Sequence, residues 1–436
     1  MRVQEINKAL SLGDISAPGM FPHVDNLNRM PVVFELDFGL NTTPTEPGII
    51  LIRGPRQYGK STWLEQQLKE TIKKFGPGSA FYLNGDELSD YKSLMEMIEL
   101  LIPLFSIKSA VRRLFIDEIT AVKNWQKALK ILVDTGVLRD TLVITTGSKA
   151  SDLRRGSERL PGRKGKLARS HYYFTPISFA EFKRKCETKL KGNLLPAYIL
   201  SGGSPIACAE ISDGDRLPGY VIELTRDWIY GEIAASGRER ATMVSIMHQL
   251  HRYAGTAVGQ AKLARECGLA NNTVAAGFIE LLVDLMCTAC SYSWDKSRRI
   301  SIRRRPCKYH MINLLAAISW HPSRVRSIQD YHNLPPADQG YLLEWLVAQE
   351  LWRQSVIQGE EIPENMNYWQ TSSHEIDFIY QGKSFIEVKR GKSSPLDYAW
   401  FNKEFPNSRL IVINTERFES KNIVGVTMEE YLRAKL

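Results

Sequence analysis

Gly54-Pro55-Arg56-Gln57-Tyr58-Gly59-Lys60-Ser61 fits G-x-x-x-x-G-K-[ST] without a mismatch, and Thr62 follows it. The octet stands between the apolar run GIILIR and the amphipathic stretch STWLEQQLKETIKKF. A strand, a glycine-bounded loop and a helix N-terminus in that order leave few folds open. Glycines let the backbone close around an anion, so that amide N–H groups and the helix end face it. The segment Gly54 to Thr62 is therefore expected to hold the phosphates of a nucleotide. Lys60 would reach the β- and γ-phosphates, and Ser61 would hold Mg²⁺.

Downstream the chain alternates strand-like and helix-like stretches. SAFYLNGDE, RRLFIDE, TLVITTGS and HYYFTP read as strands, with SLMEMIELLIPLF and NWQKALKILVDTG as helices between them. That alternation predicts an α/β domain with a parallel sheet. Asp117 ends the third strand and suits Mg²⁺ coordination through water, while Glu118 suits polarising an attacking water. The same Asp-Glu pair also suits a helix cap. Ser148 or Thr146, closing the fourth strand, can sense a γ-phosphate.

From Ser178 to Arg240 the pattern is mostly helical, broken by Gly202-Gly203-Ser204-Pro205. Then come AKLARECGL, NNTVAAGFIELLVDLM and two strand-like runs, a sequence that resembles a winged helix-turn-helix. Asn271, Asn272 and Thr273 would stand at the second helix's N-terminal end, where such residues contact phosphates or base edges. A protein-docking module is the other reading. Cys287-x-x-Cys290 and Cys307-x-x-His310 have zinc-ribbon spacing, or are incidental residues of two wing strands. DQGYLLEWLVAQELWRQ reads as a helix, EIDFIY and SFIEVK as strands, PLDYAWFNKEF as a helix and RLIVIN as a strand. Residues two apart on a strand share a side, so Glu387 and Lys389 project together. Asp377 opposite them would complete a two-carboxylate Mg²⁺ or Mn²⁺ site beside an ammonium. Glu344, among Gly340, Tyr341, Val347 and Ala348, offers a further metal ligand.

The chain has 436 residues, enough for roughly three domains, with 43% hydrophobic and 24% charged residues. That composition excludes a mostly disordered chain. No apolar stretch is long enough for a transmembrane helix, and the N-terminus lacks a secretory pattern. Six cysteines are too few for a disulfide scaffold and read as reduced thiols in a cytoplasm. The net charge is +9. Arg139 to Lys191 holds fourteen bases against five acids, and Lys296 to Lys308 seven bases and no acid. Such clusters, which include Arg298, Arg299, Arg303, Arg304 and Arg305, point to a polyanion partner, nucleic acid before membrane, or to a solubilising surface.

The words GPRQYGKST, LFIDEI, TTGS, LPGR, TPISFAEF and GGSP resemble those of AAA-type ATPases. With RRPCKYHMIN, LLEWLVAQEL and EIDFIY…FIEVK they resemble a prokaryotic family that joins such an ATPase to a winged helix and a PD-(D/E)xK nuclease-like domain. The resemblance implies an α/β P-loop ATPase core over 1–190, a helical lid over 191–240, a winged helix-turn-helix over 241–305, and an α/β restriction-endonuclease-like domain over 306–436. It implies ATP with Mg²⁺, catalysis through Lys60 and Glu118 at one site and through Asp377, Glu387 and Lys389 at the other, and DNA as partner. Arg163, in LPGR, is either an arginine finger acting within a homo-oligomer or another phosphate-facing base. Ile376 stands where the family's first nuclease motif has proline. The alternative is a nucleotide-dependent switch that binds partners and cuts nothing.

Overall fold

The computed structural model describes residues 1–147, 165–360, 362–363 and 365–434. They divide into two compact units, 1–33 with 37–175 and 34–36 with 176–436. The division falls at Thr175/Pro176 rather than after residue 190.

The first unit is built on a five-stranded sheet of β1 (Gly48–Arg53), β2 (Ala80–Asn84), β3 (Arg113–Asp117), β4 (Leu142–Gly147) and β5 (His171–Tyr173). All are parallel, in the order β2-β3-β4-β1-β5. β3 and β4 are buried along their whole length, as strands covered on both faces must be. Their near-continuous apolar runs follow from that. The helix Lys60–Phe75 starts at Gly59, in the left-handed region at φ 94°, and stops at Gly76, whose N–H bonds Ile72 O. The helix Tyr91–Leu101 is started by Asp90, whose carboxylate accepts from the Lys92 and Ser93 N–H groups.

The second unit opens with four helices, Phe179–Leu190, Leu194–Ser201, Pro205–Gly214 and Gly219–Ala235. Arg240–Arg252, Gln260–Glu266 and Asn272–Asp284 follow, then strands β6 (Thr288–Asp295), β7 (Ile300–Ile302) and β8 (Lys308–Met311). The first of these three helices is additional to the pair read from the sequence. β7 and β8 both run antiparallel to β6. β6 also pairs in parallel with β9 (Asn365–Gln370), and β9 pairs with β10 (Glu375–Ile376). One sheet thus crosses the boundary expected at 305/306.

A further sheet has the order β11-β12-β13-β15-β14. Its strands are β11 (Phe378–Tyr380), β12 (Ser384–Val388), β13 (Arg409–Ile413), β14 (Phe418–Ser420) and β15 (Ile423–Val426). The central β12, β13 and β15 are parallel, with antiparallel edges. The strand expected over EIDFIY is therefore two. β10 belongs to one sheet, β11 to another, and Asp377 is the residue between them. The helix expected over PLDYAWFNKEF is likewise broken, into a 3₁₀ turn Pro395–Tyr398 and the short helix Phe401–Glu404. Phe401 and Phe405 instead serve a core with Ile379, Phe385 and Leu410. The long helix Pro336–Gln358 is buried on all sides from Leu342 to Val356.

Candidate functional site

In the first unit the phosphate-loop residues stand where strand passes into helix. Gly54 and Pro55 are buried, Arg56 and Gln57 exposed, Tyr58 buried, and Ser61 and Thr62 half-buried on the helix's first turn. A methyl group on Gly54 would come within 2.4 Å of Phe174 Cβ, so only glycine fits beside the end of β5. Gln57 at φ 64° and Gly59 at φ 94° turn the loop through the left-handed region. The Lys60 ammonium is buried and donates to Gly54 O at 3.0 Å and Pro55 O at 2.8 Å. Burial holds its pKa below the usual lysine range, with Glu118 and Asp117 opposing that shift.

Asp117 and Thr146 close two neighbouring strands, and the Thr146 hydroxyl donates to Asp117 Oδ1. The Glu118 N–H reaches Asp117 Oδ1 at 3.1 Å and Thr146 Oγ1 at 3.3 Å. Glu118 itself is left-handed at φ 47°, uncommon for a non-glycine residue. Of the two sensor candidates, Thr146 therefore touches the acidic pair. Ser148 and Arg163 lie outside the described residues. His23 carried no sequence signal. It pairs through Nδ1 with Glu65 Oε1 at 2.6 Å, and that bond raises its pKa, Asp117 adding to the effect.

In the second unit Asp377, Glu387 and Lys389 are brought together. The Val388 N–H donates to Asp377 Oδ2 at 2.9 Å, and the Asp377 N–H reaches Glu387 Oε2 at 3.3 Å. Lys389 Nζ lies 2.6 Å from Glu387 Oε1. Glu344 is also here, across Lys308, the last base of the Lys296–Lys308 block. Lys308, 2% exposed, donates to Asp377 Oδ1 at 3.2 Å, pairs with Glu375, and lies 3.7 Å from Glu344 Oε1. Burial alone would lower the Lys308 pKa, but Asp377, Glu344 and Glu375 together raise it. Glu344 and Glu387 are each pushed up to about 8, by burial first and by Asp377 second.

Among the described residues no group of three or more His, Cys, Asp or Glu side chains is arranged to hold a metal ion. The expected three-carboxylate set of Glu344, Asp377 and Glu387 is not formed as such, because the Lys308 ammonium contacts both Glu344 and Asp377. The zinc spacing finds no support in the strand register either. Cys290 faces Tyr309 across the β6–β8 ladder and Ala289 faces His310, which puts Cys290 and His310 on opposite faces of the sheet. Cys287, Cys290 and Cys307 are buried, and none is in a disulfide.

The basic block is partly engaged. Lys296 pairs with Glu404 at 2.7 Å and lies over the Phe405 ring, and Arg303 lies over Tyr292. Arg298, Arg299 and Arg304 are exposed. Asn271 caps its helix by accepting from the Val274 N–H at 3.1 Å, which leaves Asn272 and Thr273 as the exposed polar residues there.

Residues 46–183 match a family model described as an AAA domain. The parallel sheet and the phosphate loop lie within the matched residues, so the first unit resembles an AAA domain. The chain is 32% identical over 140 residues to the uncharacterized protein MJ1637 of Methanocaldococcus jannaschii, a match spanning 31% of this chain and only 27% of that protein. It is 25% identical over 387 residues to MJ1544 of the same organism, covering 84% of this chain and 80% of the relative. Among solved structures it is similar to the Walker-type ATPase PABY2304 of Pyrococcus abyssi. There the identity is 14% and the TM-score 0.41, with 70% of this chain and 96% of that one covered. No helix among the described residues is long and apolar enough to cross a membrane.

Proposed function

We propose that this chain hydrolyses ATP and acts on DNA, with a metal-dependent nuclease site in its second unit. At the first site Gly54 to Thr62 would cradle the phosphates, and Lys60 would leave the Gly54 and Pro55 carbonyls for the β- and γ-oxygens. Ser61 and Asp117 would hold Mg²⁺, which when bound offsets phosphate charge. Glu118 would take the proton side of the attacking water, and Thr146 would fix the acidic pair. Ser148 remains the second sensor candidate, and Arg163, acting on a neighbouring copy, the finger. The chain would work in a reducing cytoplasm, with its six cysteines as thiols.

One observation carries the nuclease part. Among the described residues Glu344, Glu375, Asp377 and Glu387 face the Lys308 and Lys389 ammonium groups and His310, which burial keeps neutral, leaving two negative charges uncompensated when all four carboxylates are ionised. Two hard carboxylates, Asp377 and Glu387, are the ordinary protein share of a Mg²⁺ or Mn²⁺ site. The ion would lower the pKa of a bound water and stabilise charge on the phosphate. Lys389, held by Glu387, would orient the nucleophile. The exposed Arg298, Arg299 and Arg304, with Asn272 and Thr273 on the proposed winged helix, would hold phosphates.

A second reading rests on Lys308, whose ammonium already compensates part of the cluster. On that reading the chain is a nucleotide-dependent switch that binds DNA or protein without cleavage. The deciding experiment incubates duplex, branched and single-stranded DNA with the protein, ATP and Mg²⁺ or Mn²⁺. Cleavage that is lost in Asp377→Ala supports the nuclease. Salt-dependent DNA binding with no product under either metal supports the switch.

A further inference from the structure

Lys308 is a buried base at a place where a nuclease-like site would use metal. It projects from β8, next to the central strand β6, and Glu344 comes from the long helix. Glu375 begins β10, and Asp377 lies between the two sheets. Asp377 divides its oxygens, Oδ1 toward Lys308 and Oδ2 toward the Val388 N–H. Glu344 is 8% exposed, and its Oε1 lies 3.7 Å from Lys308 and 3.6 Å from Nδ1 of His310, which burial keeps uncharged, without a hydrogen bond to either. A carboxylate desolvated to that degree needs a cation or a proton.

We propose that Glu344, Glu375 and Asp377 form a second cation subsite, and that the Lys308 ammonium fills it. The chain then takes a single divalent ion, at Asp377 and Glu387, where the same carboxylates without Lys308 would take two. Asp377 is the residue shared by both subsites. Lys308 is thus a fixed counter-ion that sets metal stoichiometry, and Glu344 serves the lysine rather than the ion. This rests on the metal reading above, but its test separates the two.

The probe is Mn²⁺ alone, titrated into the full chain and followed by electron paramagnetic resonance of the free ion. Lys308→Met keeps the stem and removes the charge. It should bind one Mn²⁺ more than wild type, and adding Glu344→Gln should remove the extra ion. Equal stoichiometry in Lys308→Met and wild type overturns the proposal. Should Lys308→Met fail to fold, as judged by loss of a cooperative melt, Lys308→Gln replaces it. Glu344→Gln in the otherwise native chain gives an independent reading. Retention of the wild-type ion is expected, and its loss would make Glu344 a ligand of that ion and refute the assignment. Wild type binding no Mn²⁺ would end the metal reading instead. A Glu344-dependent ion gained by Lys308→Met would still establish the subsite, and no gain in either Lys308 variant would refute it.

Discussion

Gly85 is the residue through which the proposed hydrolytic role of Glu118 can be tested without touching Glu118. Asn84 and Asp117 are paired at the ends of β2 and β3, so the next residues, Gly85 and Glu118, meet just beyond the ladder. A methyl group at position 85 would lie 2.3 Å from Glu118 O, 2.8 Å from its carbonyl carbon and 3.1 Å from Asp117 O. Ordinary contact begins at 3.4 Å, and the obstacle is backbone rather than a flexible side chain. The two segments must therefore part by about 1 Å. Glu118 is the softer partner, because it already holds a left-handed conformation at φ 47°.

A misplacement of about 1 Å costs on the order of 10²-fold in rate, or about 2.7 kcal/mol on the barrier. The stability cost of overpacking is of similar size, roughly 1–3 kcal/mol, and leaves a well-folded domain standing. Gly85→Ala should therefore keep nucleotide affinity, since the phosphate loop is untouched, while kcat for ATP falls about 100-fold. The assay is steady-state phosphate release beside equilibrium binding of a fluorescent nucleotide. Gly214→Ala is the control, because a methyl group there meets nothing within 4 Å. A folded Gly85→Ala protein with wild-type kcat would refute the placement of Glu118 as the water-polarising group.

Lys60→Ala should abolish nucleotide binding, and Glu118→Gln should retain binding while losing hydrolysis; a Glu118→Gln protein hydrolysing at the wild-type rate would contradict the assignment. If Arg303, Arg304 and Arg305 meet DNA phosphates, changing all three to Glu should reduce the slope of log affinity against log salt by up to about 3, and an unchanged slope returns them to a solubilising surface. With Glu344 and Glu387 pushed up to about 8 from 4.5, the folded chain holds protons that the unfolded chain has lost. Stability in chelator should therefore fall as pH rises from about 4.5 to about 8, and Glu387→Gln should flatten that fall in urea melts; a metal-free protein gaining stability over that range would refute it. Residues 306–436 expressed alone should lack a cooperative melt, because β8 and β9 lose β6, and a cooperative transition in that fragment would show that the β6 pairing is dispensable.

The phosphate site was legible because everything in it is local or periodic. The loop, its flanking strand and its helix are contiguous, and the buried parallel strands announce themselves as apolar runs. Asp117 and Glu118 end such a run, so their position followed from the strand. Thr146 was one of two candidates, and only the β3–β4 pairing region distinguishes it by its bond to Asp117. Gly85 gave no signal at all, because its constraint is a contact with a strand more than thirty residues away in sequence. The helix Pro336–Gln358 was found from its composition, yet its burial on every side hides which face Glu344 occupies.

The carboxylate site fails differently, through the one-dimensional ordering of charge. Lys308 closes a run of seven bases, and composition alone groups it with the exposed arginines. β8 is what separates it from them, since every residue of that strand is buried, whereas Arg303, Arg304 and Arg305 precede the strand and are exposed. Its partners then arrive from a helix, a strand end and a sheet-to-sheet crossing, none of them adjacent in sequence. The sequence presents Asp377 as a mid-strand residue whose neighbours would be those of a single sheet. A residue between two sheets instead has one oxygen for each side. That geometry lets one carboxylate meet both a backbone amide of β12 and an ammonium of β8, and it is why a motif read on one strand missed the base on the other.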